Sequence, residues 1–514
     1  MTSDLTSKAL SSRALTFFAI GGSGIRVLQP LLHLCALGLG PRQLNVVMID
    51  PDQSNDAVTR ARELLDLYRK TREGLTSGQA PADGYFRTEV NDAVATVPIW
   101  SPIADDEHLQ NAAFGIRVDR PVMKGDELGL GQVFDLLFSK RHESMDLTLG
   151  FRGVPSIGTI FMNRLRDESF FEQLLINGQT DAEATYFAAG SIFGGTGAAG
   201  LPVVGRLLVN GVKGVPGRSD VRGVPKRRVG AALLMPYFTL PAPATREAPD
   251  GGIRPEAALF AQNTAAAIPS YTDDQAGYGA YYIIGDSEPR EQDENEVGGA
   301  AQANRSHYVE LYAAFAALDF ASRAGKQPQE QLPVFRATGV DSNNARWSDL
   351  PIDENSRRRL LGGLVAMHTY LVHFRPDGKS HTDLERALRG ATWLSELGLS
   401  SAQFQERSSA HDLLGQFFRK TWDWASELSA STPAMQLIRA QGRRAPQVQS
   451  HESIDGRRAA VGLPTTSHDR REIFRAWNVA STKARRAGHA GFLETMRLGS
   501  EAFATERFPE TVSE

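Results

Sequence analysis

The chain has 514 residues, of which 41% are hydrophobic and 23% charged, so it holds enough apolar material for two or three domains. This composition excludes a fully disordered chain, a collagen and a coiled-coil rod. The formal net charge of −4, from 56 Lys and Arg against 60 Asp and Glu, argues against a protein whose whole surface binds nucleic acid.

The compartment expected from the sequence is the cytoplasm. The chain has one cysteine, Cys35, which excludes an internal disulfide and a cysteine-rich zinc site. Its polar first residues, 1–13, do not resemble a secretory signal. No uncharged apolar stretch reaches the roughly 18 residues of a membrane helix, so we expect no membrane span.

The first predicted unit, residues 14–50, is a strand, a glycine loop, a helix and a second strand. An apolar run at 15–20 leads into the glycine loop, and apolar residues then recur at helical spacing. A second apolar run at 44–49 ends at Asp50. Continuous apolar runs are typical of strands buried on both faces of a parallel sheet. The loop consists of Gly21, Gly22, Ser23 and Gly24.

Residues 55–145 give a weaker pattern. A helix is predicted over 57–72, and the glycine, proline and acidic residues that follow indicate an irregular insertion. A strand is predicted at 146–151.

A second strand, glycine loop and helix begin at Thr185. The strand covers 185–189, the apolar helix has its body at 201–209, and another buried strand follows at 229–235. The loop between them contains Gly194, Gly195, Thr196 and Gly197. Glycines let a backbone approach phosphate closely, and a helix N-terminus offers free N–H groups to it. Two such loops at one sheet edge predict a shared polyphosphate site, and the Gly-Lys-Ser/Thr ending of a Walker loop is absent.

The remaining elements become more helical toward the C-terminus. A helix at 254–268 and a strand at 281–284 precede a long helix from about Asn304 to Arg323. A strand at 331–337 and a helix start at 347–351 are predicted after it. The amphipathic helices expected beyond that point are 359–374, 383–397 and 410–428.

The Gly-Gly-Thr-Gly-x-x-Gly run at 194–200 resembles the phosphate loop of the tubulin/FtsZ superfamily. Further segments are similar to that family in the same order along the chain, over roughly residues 14–325. They are the first glycine loop, Asp50-Pro51-Asp52, the 153–158 loop, Met235-Pro236-Tyr237-Phe238 and Asn304-Arg305. The sequence looks like a divergent prokaryotic tubulin-like protein.

The resemblance implies GTP or GDP as ligand, with Mg²⁺ held mainly by phosphate oxygens and water rather than by protein ligands. It assigns the two glycine loops and Asp50 to the nucleotide, Ser156 and Gly158 to the loop that senses the terminal phosphate, and Asn304 to the guanine edge. It also implies head-to-tail self-assembly, as in a prokaryotic cytoskeleton. A neighbouring subunit would then supply a catalytic acid, for which Asp349 is the first candidate and Glu330 the second.

The resemblance also implies a division of the chain. Residues 1–303 would form the GTP-binding domain, with an insertion at about 55–145, and 304–325 the central helix. Residues 326–514 would be a mainly helical region, which lacks the alternating strands of the family's second domain and is a candidate surface for an unidentified protein partner. The fold class expected is therefore α/β with a parallel sheet.

Two other functions remain open at this point. The chain would be a non-hydrolysing, nucleotide-bound scaffold or switch in a multiprotein system if the catalytic acid is missing. It would be a Rossmann-type enzyme binding NAD or FAD if only the first glycine loop and Asp50 hold the ligand.

Overall fold

The structure is a computed structural model that describes part of the chain. The described residues are 13–76, 84–92, 99–103, 113–118, 129–242, 252–272, 276–292, 298–300, 302, 304–323, 334–337, 350–374, 388–404, 409–431 and 467–507. The strands are β1 (Ala14–Ile20), β2 (Gln43–Ile49), β3 (Glu89–Asp92), β4 (Ile99–Trp100), β5 (Thr185–Ser191), β6 (Val229–Leu234), β7 (Phe238–Thr239), β8 (Ala280–Ile284), β9 (Arg290–Glu291) and β10 (Val334–Ala337).

The helices surround these strands and dominate the C-terminal part. They are α1 (Gly21–Ala36), α2 (Asp56–Thr76), α3 (Phe114–Arg117), α4 (Leu130–Leu137), α5 (Lys140–Glu143), α6 (Pro155–Met162), α7 (Ser169–Thr180), α8 (Thr196–Asn210), α9 (Phe260–Ala267), α10 (Pro269–Thr272), α11 (Tyr308–Arg323), α12 (Glu354–His373), α13 (Trp393–Glu396), α14 (Ala410–Ser431), α15 (Ser467–Ser481) and α16 (Gly488–Arg507).

The main sheet has eight strands in the order β10-β8-β6-β5-β1-β2-β3, with β4 also paired to β2. Every pairing in it is parallel. From the centre, β2 and β3 continue to one side of β1, whereas β6, β8 and β10 continue to the far side of β5. The strand order therefore reverses between β1 and β5, and such a switch point is where ligands bind in open α/β sheets. The expected α/β class with a parallel sheet is confirmed.

Both faces of the sheet are covered, which explains the continuous apolar runs. On β1, Leu15 and Phe17 belong to the buried cluster that contains α1, α2 and α11. Phe18 and Ile20 belong to the other cluster, which contains α6 and α8. The first cluster extends into the C-terminal helices, where Trp393 is fully buried. The sheet and the C-terminal helices therefore share one core.

The central helix is shorter than the sequence predicts. It begins at Tyr308 rather than at Asn304, and its residues from Tyr308 to Ser322 are all buried. A helix buried on every side lacks a polar face that would mark its start in the sequence.

Two other predicted elements are wrong or shorter. The strand expected at 146–151 is a 3-10 turn at Leu147–Leu149, in which the Asp146 side chain accepts a hydrogen bond from the Thr148 N–H. The helix expected at 254–268 is only Phe260–Ala267.

The C-terminal region is helical in its described parts, as expected, but its elements differ in detail. Its first strand, β10, pairs with β8 and so extends the main sheet. The helix after it begins at Glu354, where Asp353 caps it by accepting a hydrogen bond from the Ser356 N–H at 2.7 Å. In the stretch expected to be a helix at 383–397, residues 383–387 lie outside the described part, and the described helix is only α13. None of the described helices combines the length and hydropathy needed to cross a membrane.

Candidate functional site

A cleft of about 1110 Å³, measured with its open mouth, lies at the carboxyl ends of β1 and β5. It therefore occupies the switch point of the sheet. The structure brings most of the predicted binding residues together there. Those that line the cleft are Gly21, Gly22, Ser23, Asp50, Gly194, Gly195, Thr196, Gly197 and Asn304.

Three predicted residues lie outside the lining. Gly24 is buried against the backbone of Ala189, where a Cβ atom has no room. Gly158 is the residue of α6 that packs closely against α8. A Cβ atom on it would lie 2.7 Å from the Ala199 Cβ, which leaves no room for a side chain. Ser156 is exposed in the first turn of α6. From the same loop, Gly153 does line the cleft.

The two candidate catalytic acids, Glu330 and Asp349, lie outside the described residues. The sequence prediction placed Asp349 at the start of the next helix. In the structure Asp353 has that position instead.

The two glycine loops touch each other across the switch point. A Cβ atom on Gly21 would lie 3.1 Å from both the Gly197 nitrogen and the Thr196 Cβ, and Gly21 has a φ of +72° that favours glycine. The loops open α1 and α8, neither of which has an acidic residue in its first turn. Because the first N–H groups of a helix have no intrahelical partner, two positive helix ends meet at one cleft.

Gly22 is the most open of these glycines. Apart from the adjacent residues and the backbone of its own helix, no atom lies within 4 Å of the position that its Cβ would take, and Gly22 lines the cleft. Space of this kind beside a helix N-terminus accommodates the close backbone approach that an anion needs.

The loop before α6 forms a third wall. Gly195 abuts its backbone, since a Cβ there would lie 2.6 Å from the Phe151 carbonyl carbon. The loop has positive φ at Gly150 (87°), Arg152 (44°) and Gly153 (79°). Positive φ is uncommon at a residue other than glycine, and strained backbone of this kind clusters at ligand sites.

Two carboxylates at the end of β2 form the acidic side of the cleft. Asp50 is 4% exposed and accepts a hydrogen bond from the Asp52 N–H at 3.0 Å. Asp52 accepts one from the Gly299 N–H at 2.7 Å, which holds the 298–300 segment at the cleft. Burial raises the pKa of Asp50 to about 8, with a smaller contribution from the nearby Asp52 charge. Asp50 is therefore mostly protonated at neutral pH.

Asn304 lies on an irregular segment that Arg26 of α1 holds in place. The Arg26 guanidinium donates to the Asn304 carbonyl at 2.7 Å and to the Arg305 carbonyl. Its Nε pairs with the Glu310 carboxylate at 2.5 Å, and Tyr237 donates a hydrogen bond to the same carboxylate at 3.2 Å. Burial alone lowers the pKa of Arg26, but the Glu310 charge reverses this and the net shift is upward.

The sequence patterns did not identify Arg26 or Glu310 as site residues. The side chains of Arg26 and Glu310 are only 11% and 2% exposed. The available signal was a charged residue inside an otherwise apolar helix, because such a residue is rarely fully buried without a partner.

No protein-family model matches the sequence, and no curated protein matches it.

Among the described residues, no group of three or more His, Cys, Asp and Glu side chains is arranged to hold a metal ion. The chemistry of the cleft is therefore backbone N–H donors on one side, a buried acid on the other, and an amide at Asn304.

Any affinity of the cleft for a polyphosphate should depend on pH through Asp50. As the pH rises from about 7 to about 9, Asp50 loses its proton and places a negative charge beside the anion, so the affinity should fall about tenfold. Titration of the magnesium nucleotide at each pH measures this change. Asp50→Asn removes the titrating group, and an equal fall in that variant would contradict the assignment.

Proposed function

We propose that the chain is a divergent tubulin/FtsZ-like protein that binds GTP with Mg²⁺ between the two glycine loops. The observation that supports this best is the contact between Gly21 and the Thr196-Gly197 turn at the switch point. An anion site at a single helix N-terminus needs only one glycine loop. Two loops in contact suit a ligand with several phosphates, because each helix end faces part of the same charge.

The phosphates would be bound mainly by backbone donors. Arg26 lines the cleft but is paired with Glu310, and the Arg152 guanidinium donates to the Asp146 carbonyl at 3.1 Å. The open space at Gly22 fits a phosphate, and the N–H groups at the starts of α1 and α8 supply donors. When bound, Mg²⁺ neutralises part of the phosphate charge and is held mainly by phosphate oxygens and water.

The base and ribose would lie toward Asn304 and Asp50. The Asn304 amide offers both a donor and an acceptor, which suits the edge of guanine. Asp50, protonated at neutral pH, donates a hydrogen bond without adding charge next to the phosphates.

Thr196 and Asn304 should affect different parts of the nucleotide. Asn304→Ala is expected to weaken GTP binding about tenfold and to leave inorganic tripolyphosphate binding unchanged, because only GTP has a base. Thr196→Ala should weaken both ligands by a similar factor. Isothermal titration with each ligand measures the two effects, and loss of tripolyphosphate binding in Asn304→Ala would refute the base role.

Hydrolysis is proposed to accompany head-to-tail self-assembly, with Asp349 or Glu330 of one subunit acting on the nucleotide of the next. An acid that orients the attacking water is the usual requirement of such a reaction. Phosphate release should then rise more than linearly with protein concentration, and Asp349→Asn or Glu330→Gln should abolish it while GTP still binds. A linear or absent response would instead favour the non-hydrolysing scaffold or switch, with the C-terminal helices as the surface for a protein partner.

A dinucleotide enzyme is the second candidate, and the position of Asp50 favours it. A buried acid at the end of the second strand, with a glycine loop after the first, is the arrangement that binds the ribose of NAD. This candidate leaves the second glycine loop without a role. A co-purified cofactor whose absorbance changes with oxidation state would support it and would refute GTP binding.

A further inference from the structure

Glu427 of α14 reaches the segment that carries Asn304. Its Oε2 accepts hydrogen bonds from the Ser306 N–H at 3.2 Å and from the Ser306 hydroxyl at 3.0 Å. These contacts connect the C-terminal helices to the edge of the cleft across 121 residues of chain.

Arg60 of α2 holds Glu427 in this position. Its Nη1 donates to both carboxylate oxygens of Glu427, at 2.9 and 3.0 Å. Its Nε pairs with Asp56, at the start of α2, at 2.7 Å. Glu427 is therefore bound both by Ser306 and by an arginine that is itself paired with Asp56.

The segment at 304–307 precedes α11 and is irregular. Three side chains hold it, and one of them is Glu310, whose carboxylate accepts a hydrogen bond from the His307 N–H at 3.1 Å. Arg26 binds its carbonyl groups at Asn304 and Arg305, and Glu427 binds its N–H group at Ser306. A smaller cleft of about 270 Å³ is lined by Asn304, Ser306 and Arg60, and it shares Asn304 with the lining of the main cleft.

We propose that Glu427 is a positioning residue for base recognition, which orients Asn304 by fixing the backbone two residues away. This role rests on the proposed function, because it requires a nucleotide whose base Asn304 contacts. It also makes the C-terminal helices respond to the ligand. Binding free energies are reciprocal, so a contact that favours nucleotide binding is itself favoured when the nucleotide is bound.

The test compares GTP with inorganic tripolyphosphate, which lacks the base. Glu427→Ala is expected to weaken GTP binding about tenfold, since it removes a charged acceptor from Ser306, and to change tripolyphosphate binding less than about twofold. Glu427→Gln keeps an acceptor for Ser306 but loses the charge and one of the two acceptors for Arg60, so it should restore much, though not all, of the GTP affinity. Retained tripolyphosphate binding also shows that each variant is folded.

The matched control is Glu63→Gln. Glu63 pairs with Lys420 at 2.7 Å, so this variant also removes an ion pair between α2 and α14, but one with no contact to Ser306. It should bind GTP like the wild type. If it weakens GTP as much as Glu427→Ala does, docking of α14 in general is responsible and the positioning role is overturned.

Hydrogen exchange gives a second readout. Saturating GTP should slow amide exchange in α14 of the wild type, and this effect should be lost in Glu427→Ala. GTP binding by Glu427→Ala with wild-type affinity overturns the positioning role alone. Absence of GTP binding by the wild type overturns the proposed function and, with it, the positioning role.

Discussion

Gly22→Val is expected to reduce GTP affinity roughly 100-fold, through loss of two or more charge-assisted hydrogen bonds, while the fold is retained. The side chain would extend into the cleft, because no atom outside the adjacent residues and the backbone of its own helix lies within 4 Å of the Cβ position. The φ of Gly22 is also outside the left-handed region, unlike that of Gly21. The variant should therefore block the proposed phosphate site without straining the backbone at Gly22.

Ala265→Val is the matched control, because Ala265 is exposed on α9 and the same β-branched side chain is introduced into a helix there. Both variants should melt close to the wild-type temperature, and only Gly22→Val should lose the nucleotide in calorimetric titration. Wild-type GTP affinity in Gly22→Val would mean that the phosphates do not lie at the start of α1.

Glu310→Gln is expected to lower the free energy of unfolding by about 3–5 kcal/mol, because it leaves the Arg26 charge buried without its partner. The two side chains are 2% and 11% exposed, so water compensates little for the loss. The Arg26 donors also hold the carbonyl groups at Asn304 and Arg305, so GTP binding should weaken as well. Urea unfolding monitored by tryptophan fluorescence measures the stability change.

The control for this variant is Asp66→Asn. Asp66 pairs with Lys70 on the outside of α2, where both side chains are about 60% exposed, and exposed pairs contribute little. Its free energy of unfolding should stay within about 0.5 kcal/mol of the wild type. The double variant Arg26→Met with Glu310→Leu should recover part of the loss, because an apolar pair carries no desolvation cost. Equal effects of Glu310→Gln and Asp66→Asn would contradict the role of the buried pair.

The glycine loops and the strands before them were predictable because their signals are local. A strand buried on both faces requires a continuous apolar run, and the turn into a helix at a crowded sheet edge requires glycine, as at Gly21. The start of α11 was not predictable in this way. The segment before Tyr308 is bound by Arg26 and Glu427, which are distant from it in sequence, so no local pattern marks where the helix begins.

The same distinction applies to the candidate site. The proposed phosphate side consists of two short glycine loops, so seven of the nine predicted residues that line the cleft come from these loops. The base side depends on contacts across 284 residues between Arg26 and Glu310, for which the sequence has no periodic signal. Gly158 shows the opposite error, since a glycine that allows two helices to approach looks the same in sequence as one that binds phosphate.

Identification of the small molecules that the purified protein releases tests the proposed GTP binding most directly. Freshly purified protein is denatured, and the released small molecules are separated by chromatography against nucleotide standards. GTP or GDP is the expected result. Release of NAD or FAD, or an empty protein that also fails to bind GTP in a titration with magnesium, would contradict the proposed nucleotide site.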